Sequence, residues 1–304
     1  MTVLIINPTA GNGAAGRQKQ LIETLAEKFF PDHQIFLTEG PEQTREYARK
    51  AAEARKSMVI CVGGDGTLNE VVNGLMSVKI DKKRRPKLGF LPVGTGCDLA
   101  KTIGITENIE NGLRKIAAGH GKWIDLGRAT FVNHEGETVR RYFVNVLSFA
   151  LGGEVAGRTN RDGKAMGGFL TFFGQMIGAL FTYNRPLIRL RVDDTYDEQI
   201  VSWHVAVANG RYHGGGMNIA PDAEVDDGRL QVTVIGNLSL PEILLNLPKL
   251  YNGRIYSVNK VSSLSGQKIE AGSAEKVLID LDGEQPGRLP VRAEVVPLAI
   301  WLVY

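Results

Sequence analysis

Cysteine is scarce in this sequence. Among 304 residues only Cys61 and Cys97 are cysteines, and the five histidines are scattered along the chain. A disulfide framework and a cysteine-based zinc site are therefore both excluded. Unpaired cysteines of this kind are typical of proteins in a reducing compartment, so we expect a cytoplasmic protein.

The chain also lacks a large excess of positive or negative charge. The formal net charge is only +3, and most Lys and Arg residues are dispersed among acids. This pattern argues against nucleic acid as a partner. The one concentrated basic run spans residues 79–87. Such a run is usually a solvated loop, but it could instead attract an anionic membrane, each charge contributing about 1 kcal/mol near the headgroups.

Long hydrophobic runs are missing too. The chain enters a strand pattern at its first residues, without the basic region and cleavage site of an export signal. The most apolar stretch, 166–183, is short for a transmembrane helix, which needs about 20 residues. Its phenylalanines, from Phe169 to Phe181, form a wide helical stripe that predicts a core-facing helix. The alternative is a helix that lines an apolar substrate tunnel or lies in a bilayer surface.

The length of the chain, and a change in its secondary-structure pattern near residue 122, predict two domains. Up to about residue 122, strand-like runs alternate with helical patterns. This alternation indicates βαβ units, so we predict that residues 1–122 form a doubly wound α/β nucleotide-binding domain. The predicted strands are 3–6, 34–37, 58–62 and 88–91, and the predicted helices include 14–29, 42–55, 67–76 and 109–118.

Residues 123–304 are rich in short β-like runs separated by turns that contain Gly or Asp. That pattern predicts an antiparallel, sandwich-like second domain that is interrupted by the phenylalanine-rich helix. The final strand could return to pack on the first domain.

The most informative segment is the glycine-rich turn 63–70, Gly-Gly-Asp-Gly-Thr-Leu-Asn-Glu, between a predicted strand and a predicted helix. At a helix start the first N–H groups have no partner within the helix, so they can bind phosphate. Asp65 would repel a bare phosphate, which makes a Mg²⁺ ion carried with the nucleotide its expected partner. Taken alone, the tetrapeptide is equally consistent with an ordinary tight turn.

Two further loops, 7–13 and 92–100, also follow predicted strands and precede helices. Ligands of such sheets bind beyond the carboxyl ends of the strands, so the three loops should converge on one site. The first loop lacks the Gly-Lys-Ser/Thr ending of a P-loop. The second could instead be a simple helix start, with Asp98 as its cap.

The order of these segments resembles the bacterial diacylglycerol and lipid kinase family, which has the diacylglycerol kinase catalytic domain. The resemblance covers essentially the whole chain. At 94–98 this sequence reads Gly-Thr-Gly-Cys-Asp, so Cys97 replaces the asparagine that is usual in the family. The matching segments are 7–11, 63–70, 94–98, 214–216, 220–221, 227–228 and 282–284.

The resemblance implies an N-terminal domain like those of NAD kinases and phosphofructokinases, and a β-sandwich second domain. It also implies transfer of the γ-phosphoryl group of ATP to a lipid hydroxyl in the cleft between the domains, with diacylglycerol as the leading acceptor and phosphatidic acid as the product. The ATP-binding residues by resemblance are Asn7, Thr38, Gly64, Asp65, Gly66, Thr67, Glu70 and Thr95.

By the same resemblance Glu284 is the general base, Asp65 also serves catalysis, and a structural Mg²⁺ is held by the Asp227 carboxylate and the carbonyls of Glu224 and Arg229. We therefore expect a cytoplasmic enzyme of phospholipid metabolism that works peripherally at the inner face of the membrane. A homodimer is one assembly left open.

Alternatives remain for the chemistry. Asp282 and Glu284 lie two residues apart and could point to the same side of an extended segment; otherwise Asp-Gly-Glu is a hairpin turn with solvated acids. An NAD kinase-like phosphotransferase would need a soluble dinucleotide acceptor. A nucleotide-binding regulator at the membrane would need no catalysis at all.

Overall fold

The computed structural model describes residues 1–94, 96–105, 108–162 and 168–304, with their side chains except those of residues 159–173 and 177. The chain forms two compact units. The first contains residues 1–124 together with 298–304, and the second contains residues 125–297.

The first unit is built on a parallel sheet. Its strands are β1 (Thr2–Ile6), β2 (His33–Leu37), β3 (Met58–Gly63) and β4 (Lys87–Pro92). Its helices are α1 (Ala10–Arg17), α2 (Lys19–Phe29), α3 (Pro41–Glu53), α4 (Asp65–Ser77), α5 (Asp98–Ile103) and α6 (Ile109–Ala118). The strand order is β2-β1-β3-β4, and the chain's C-terminal end adds a further parallel neighbour through Leu302 opposite Leu88.

Helices cover both faces of this sheet. On one face, alternate residues of β1 such as Leu4 and Ile6 share a buried cluster with Ile22 of α2 and Leu113 of α6. The helices α3 and α4 pack against each other and against strands of the sheet. Because strands buried on both faces are apolar throughout, β1 reads Thr-Val-Leu-Ile-Ile. The predicted doubly wound α/β domain is confirmed.

The second unit is mostly antiparallel. Its strands are β5 (Gly121–Asn133), β6 (Thr138–Phe143), β7 (Val146–Ala150), β8 (Leu187–Val192), β9 (Tyr196–Val201), β10 (His204–Ala208), β11 (Tyr212–His213), β12 (Met217–Asn218), β13 (Leu230–Ile235), β14 (Val261–Gly266), β15 (Lys268–Gly272), β16 (Leu278–Leu281) and β17 (Glu284–Val303); β5 begins and β17 ends in the first unit. Its helices are α7 (Leu151–Asp162), α8 (Gly168–Thr182) and α9 (Leu240–Tyr251).

Two layers of these strands enclose one core. The strands β14, β13, β10, β7, β16 and β17 pair in that order, while β17 also pairs with β15, which continues to β8 and β9. Val205 and Val207 of β10 are buried in one cluster with Ile188 and Leu190 of β8. The intervening Ala206 belongs to a different cluster, as the alternation of side chains along a strand requires. The predicted β-sandwich domain is confirmed.

One helix prediction needs correction. Residues 14–29 were predicted as one helix, but the structure has α1 and α2. Gly11, Asn12 and Gly13 near the start of α1 take left-handed dihedrals, which glycine and asparagine tolerate best.

The phenylalanine-rich segment forms α8. Met176 and Leu180 are buried in a core cluster, whereas Phe181 is 66% exposed. The other stripe residues, Phe169, Phe172, Phe173 and Ile177, lie outside the described side chains. Among the described helices, none has both the length and the apolar character needed to cross a membrane.

The contact between α3 and α4 depends on Gly74. A β-carbon at this position would lie 2.3 Å from the Arg45 carbonyl oxygen and 2.7 Å from the Ala48 β-carbon. We therefore expect Gly74→Ala to lower the free energy of unfolding by about 2 kcal/mol, measured by urea denaturation, despite the better helix propensity of alanine. Gly174→Ala in α8 is the control, since among the described residues no atom beyond its chain neighbours and its own helix backbone lies within 4 Å of the added carbon. Equal stability of the two variants would contradict the close contact.

Candidate functional site

The three glycine-containing loops of the first unit leave neighbouring strands at the same level of the sheet. Ile6 of β1 is opposite Val62 of β3, and Gly63 is opposite Pro92 of β4. The Asn7 N–H donates to the Val62 carbonyl at 3.0 Å, and the Val93 N–H donates to the Gly63 carbonyl at 2.9 Å. The loops therefore begin side by side at the carboxyl edge of the sheet.

Glycine is needed where these loops meet. A β-carbon on Gly94 would lie 3.0 Å from the Gly64 α-carbon, and one on Gly11 would lie 3.3 Å from the Val93 carbonyl oxygen and 3.5 Å from the Gly94 α-carbon. Gly64 is also the N-cap of α4 and has no side chain with which to cap it. The start of α4 is thus lined by bare backbone, which is the arrangement that phosphate groups bind.

Polar side chains surround this helix start. Asn7 Nδ2 donates to Thr67 Oγ1 at 3.0 Å, while Asn7 Oδ1 accepts from the Thr9 N–H and hydroxyl. Thr38 is buried at the end of β2, and its N–H donates to the Ile6 carbonyl at 2.9 Å. The structure therefore brings Asn7, Thr67, Gly64 and Gly66 together. Thr38 lies at the same edge of the sheet, directly after the neighbouring strand β2.

Glu70 lies one turn further along α4 and is only 6% exposed. Its Oε2 accepts from both Nε and Nη2 of Arg45, each at 2.7 Å. A buried carboxylate needs such a partner because its desolvation is costly. Arg45 was missed from the sequence. It stands in a helix 25 residues before its partner, and only the α3–α4 packing connects them.

The Asp65 carboxylate caps a helix other than its own. Its carboxylate accepts from the Asp98 N–H at 2.8 Å and from the Leu99 N–H at 3.3 Å, which caps the start of α5. Asp98 was expected to be that cap, but it is the first helical residue and pairs with Lys101 at 2.9 Å. The predicted contact of Asp65 with a nucleotide-borne Mg²⁺ stays a prediction.

Cys97 precedes α5 with φ 44° and ψ 52°, in the left-handed region. Asparagine, which is usual at this position in the family that the sequence resembles, adopts this conformation more readily than cysteine. Burial, and then the carboxylates of Asp65 and Asp98, raise the pKa of the Cys97 thiol to about 12. Such a thiol stays protonated at neutral pH, as expected of an incidental substitution rather than a nucleophile. Thr95 of the same loop lies outside the described residues.

In the second unit, Asp282 and Gly283 form a two-residue turn between β16 and β17, both with positive φ. The idea that Asp282 and Glu284 point to the same side is wrong. Asp282 is buried, and its carboxylate accepts from the N–H groups of Val144, Asn145 and Val146 at 2.7 to 3.0 Å. Glu284 is exposed on the opposite arm of the hairpin. The alternative was a hairpin turn with solvated acids. The hairpin turn is confirmed, but Asp282 is buried and not solvated.

A second buried acid supports the same turn. Asp280, 1% exposed, accepts from the Gly283 N–H at 2.8 Å and from the Ser148 hydroxyl at 3.2 Å. Its other neighbour is His213, whose Nε2 lies 3.0 Å from Asp280 Oδ2. Asp280 and His213 were not predicted from the sequence. The position of Asp280 two residues before Asp282 in an apolar strand was the available signal.

The predicted metal-binding loop is exposed at Glu224, Asp227 and Arg229. Asp227 Oδ1 accepts from the Arg229 N–H at 2.9 Å, and the fully buried Asp125 accepts from the Gly228 N–H at 2.6 Å. One carboxylate and two carbonyls form an all-oxygen donor set, which fits Mg²⁺. In the part of the chain that is described, no group of three or more His, Cys, Asp or Glu side chains is arranged to hold a metal.

The left-handed conformation of Cys97 leads to a stability prediction. We expect Cys97→Asn to raise the free energy of unfolding by roughly 1 kcal/mol, because asparagine relieves the backbone strain. Cys97→Ser is the matched control, since it also removes the sulfur but lacks the asparagine side chain. Urea denaturation would contradict this account if the two variants were equally stable.

The buried turn leads to a second prediction. Asp282→Ala should lower the free energy of unfolding by about 3 kcal/mol, because three buried N–H groups lose their acceptor. Glu284→Gln, two residues away but exposed, should stay within about 0.5 kcal/mol of wild type. Thermal and urea unfolding of both variants measure the difference. A small effect of Asp282→Ala would mean that other acceptors or water replace the carboxylate.

Known protein families match both parts of the chain. The model of the diacylglycerol kinase catalytic domain matches residues 1–129, and that of the YegS C-terminal NAD kinase beta sandwich-like domain matches residues 145–304. A Yersinia pestis (strain Pestoides F) protein named "Probable lipid kinase YegS-like" is 30% identical over 258 residues, which cover 84% of this chain and 81% of that protein.

Solved structures agree with these matches. A "putative diacylglycerol kinase" from Bacillus anthracis has a TM-score of 0.79 and 26% sequence identity, covering 100% of this chain and 94% of its own. An NAD kinase from Archaeoglobus fulgidus, solved in complex with ATP, shares the fold at a TM-score of 0.53 and 14% identity, covering 100% of this chain and 94% of its own. With both domain models matched in order along one chain, the protein belongs to the YegS-like family of lipid kinases, whose N-terminal half is a diacylglycerol kinase catalytic domain.

Proposed function

We propose that this protein transfers the γ-phosphoryl group of ATP to a hydroxyl group of a membrane lipid, with diacylglycerol as the leading acceptor and phosphatidic acid as the product. The observation that carries the proposal is the bare backbone at the start of α4, where the loops containing Gly11, Gly64 and Gly94 meet. Family membership favours a lipid over a soluble acceptor.

The nucleotide phosphates are expected to bind at the N-terminus of α4. There the helix dipole is positive, and the glycines at 64 and 66 let the phosphate oxygens approach the amides. Asn7 and Thr67, already joined by a hydrogen bond, add polar groups beside the phosphates. Phosphoryl transfer requires mainly that the enzyme position its substrates and neutralise charge, and this site can do both.

Magnesium bound with the nucleotide would neutralise charge on the phosphates. Asp65 is the proposed carboxylate on that side of the nucleotide. Its oxygens also accept from the N–H groups of Asp98 and Leu99, so its position is set before any ligand binds. A second, structural Mg²⁺ is proposed at Asp227, with the carbonyls of Glu224 and Arg229.

Glu284 is the proposed general base that accepts the proton of the attacking hydroxyl. It is exposed, and it begins β17 directly after a turn that Asp280 and Asp282 hold from inside the protein. We propose different roles for these acids. The two buried acids position the hairpin, and the exposed acid is accessible to a substrate.

We further propose that the enzyme works in the cytoplasm, at the inner face of the membrane. The exposed charges of Lys79, Lys83, Arg84 and Lys87 support this proposal, because they would attract anionic headgroups. Two other members of the basic run have structural contacts. Lys82 lies over the Trp123 ring at 5.2 Å, and Arg85 donates to the carbonyls of Leu75 and Ala299.

The test is transfer of label from γ-labelled ATP to a panel of lipids in mixed micelles with Mg²⁺. Wild type should label a lipid, and diacylglycerol first. Glu284→Gln should bind ATP normally but label at least 100-fold less, because the hydroxyl loses its base. Asp65→Ala should lose ATP-dependent labelling and stability together, since the carboxylate also caps α5. Glu275→Gln, an acid elsewhere in the second unit, is the control.

Other outcomes separate the alternatives. Labelled NADP formed from NAD and ATP, with no labelled lipid, would replace the lipid acceptor by a dinucleotide. ATP binding without transfer to any acceptor would favour a nucleotide-binding regulator. A fully active Glu284→Gln variant would remove Glu284 from the chemistry while leaving the kinase assignment intact.

A further inference from the structure

Helix α9 is apolar around most of its circumference. Of its residues, only Glu242, Asn246 and Lys249 are polar or charged. A helix of a soluble domain usually has one apolar face directed at the core and a polar face directed at water. In α9 the apolar residues form one continuous arc of about 220°. One side of this arc, the inner face, packs on the protein core, and the other side, the outer face, contains exposed residues.

The inner face packs on the second unit. Its residues lie against the buried cluster that contains Trp203, Met217 and Ile255. These inner-face residues are Leu240, Ile243, Leu247 and Leu250. Packing of this kind determines how the helix lies on the domain and which residues it turns outward.

The outer face is exposed and apolar. Leu245 is 79% exposed, Leu244 47% and Tyr251 39%. Pro241 and Pro248 are exposed as well. At 100° per residue all five fall within one arc about 120° wide, and no charged residue lies in that arc. Leu244 and Leu245 therefore belong to one contiguous apolar patch, and contiguous patches rimmed by polar residues are typical of protein or membrane interaction sites.

The surroundings of α9 are basic. Between residues 236 and 260 there is one acid, Glu242, against Lys249, Arg254 and Lys260. The Glu242 carboxylate already accepts from the Ser239 N–H and hydroxyl and pairs with Lys260 at 3.2 Å. The hydrogen bonds from Ser239, and then the Lys260 ammonium, lower the pKa of the Glu242 carboxyl to about 2. The carboxylate is therefore ionised at neutral pH and is already bound to Ser239 and Lys260.

A further cation stands near the beginning of the helix. Arg185 donates to the Leu238 carbonyl at 3.4 Å, and its guanidinium lies 5.1 Å from the centre of the Trp203 ring. Leu238 directly precedes the N-cap residue Ser239. Arg185 thus lies beside the inner cluster, whereas Lys249 lies about 40° beyond the edge of the outer arc and Lys260 reaches the same side of the helix at Glu242. Cations next to an apolar face form the charge pattern that complements anionic lipid headgroups.

The size of the patch distinguishes lipid from protein. Two leucines and a tyrosine with these exposures present roughly 200–300 Å² of apolar surface, whereas a stable protein interface needs about 800 Å² from each partner. A bilayer needs no such area, because each side chain that enters the acyl boundary contributes independently. Tyr251 is partly exposed at the edge of this face, and tyrosine is enriched at membrane interfaces.

We infer that the outer face of α9 docks the protein on anionic bilayers. Leu244 and Leu245 enter the boundary between headgroups and acyl chains, and Lys249, Arg254 and Lys260 contact the headgroups. The inference rests on the proposed lipid kinase function for its biological purpose. It depends on no other part of that function, because binding of the bilayer by α9 is independent of ATP.

The experiment is sedimentation of the full chain with vesicles of equal parts phosphatidylglycerol and phosphatidylcholine. The double variant Leu244→Ser/Leu245→Ser should bind about 30-fold more weakly, because two partly inserted leucines are lost. Leu187→Ser is the matched control, since Leu187 on β8 has the same 47% exposure as Leu244. Lys249→Glu should weaken binding to these vesicles but not to pure phosphatidylcholine vesicles. Thermal unfolding verifies that every variant is folded.

Two results would overturn the inference. One is a folded double variant that binds vesicles as wild type does. The other is a wild-type dimer, seen by light scattering, that becomes monomeric in the double variant while vesicle binding is unchanged, since a second copy would then cover the face.

Kinase measurements separate this inference from the proposed function. With a short-chain diacylglycerol below its micelle concentration, the double variant should retain wild-type turnover, whereas on diacylglycerol in anionic vesicles its turnover should fall with its binding. If wild type phosphorylates no lipid but its vesicle binding still requires Leu244 and Leu245, the proposed function fails and the docking face stands. If both proteins are equally active on vesicles, the docking face fails and the kinase stands.

Discussion

The proposed nucleotide site depends on the close approach of two backbone segments, at Gly64 and Gly94. Parallel pairing of β3 with β4 brings the ends of both strands to the same level, so the loops that follow must share one space. They can do so only without side chains, because a β-carbon on Gly94 would lie 3.0 Å from the Gly64 α-carbon. The bare start of α4, and with it any phosphate site, follows from this packing.

Carboxylates that accept backbone N–H groups recur through the structure. Asp65 holds the start of α5, Asp125 holds the turn at Gly228, and Asp282 holds residues 144–146. Each acid therefore supports a loop that carries predicted site residues. A carboxylate can accept several such bonds at once, and each bond to a charged acceptor is stronger than a neutral one. In our proposal these acids position loops of the site, and the exposed Glu284 takes part in the chemistry.

The second unit faces two different demands. In the proposed function, its turn at 282–284 holds a carboxylate where a hydroxyl can reach it; in the proposed docking, its helix α9 leaves leucines in contact with water when no membrane is present. The inner face of α9 offsets that cost by packing on the core cluster around Trp203. An enzyme that acts on a water-insoluble substrate needs both properties, because it must bind the surface that contains the substrate before chemistry begins.

Local sequence pattern predicted the α/β and sandwich domains and the three glycine loops, because strand and helix periodicity and turn glycines are properties of neighbouring residues. The family was identified by the resemblance of the motifs. It misjudged acids whose partners are distant. Asp282 and Asp98 were assigned from their neighbours, whereas the N–H groups around Asp282 come from 144–146 and the cap of α5 comes from Asp65. Arg45, Asp125, Asp280 and His213 were missed for the same reason.

The sequence by itself therefore determined the order of strands, helices and glycine turns, and the residue types available at the site. The tertiary structure alone decided that Asp280 and Asp282 are buried supports and that Glu284 is exposed, and it left Leu244 and Leu245 of α9 exposed while the inner face of that helix packs on the core. The physical reason is that the role of a carboxylate or a leucine depends on burial and on its neighbours. Those neighbours come from segments far apart in the chain, and only folding brings them together.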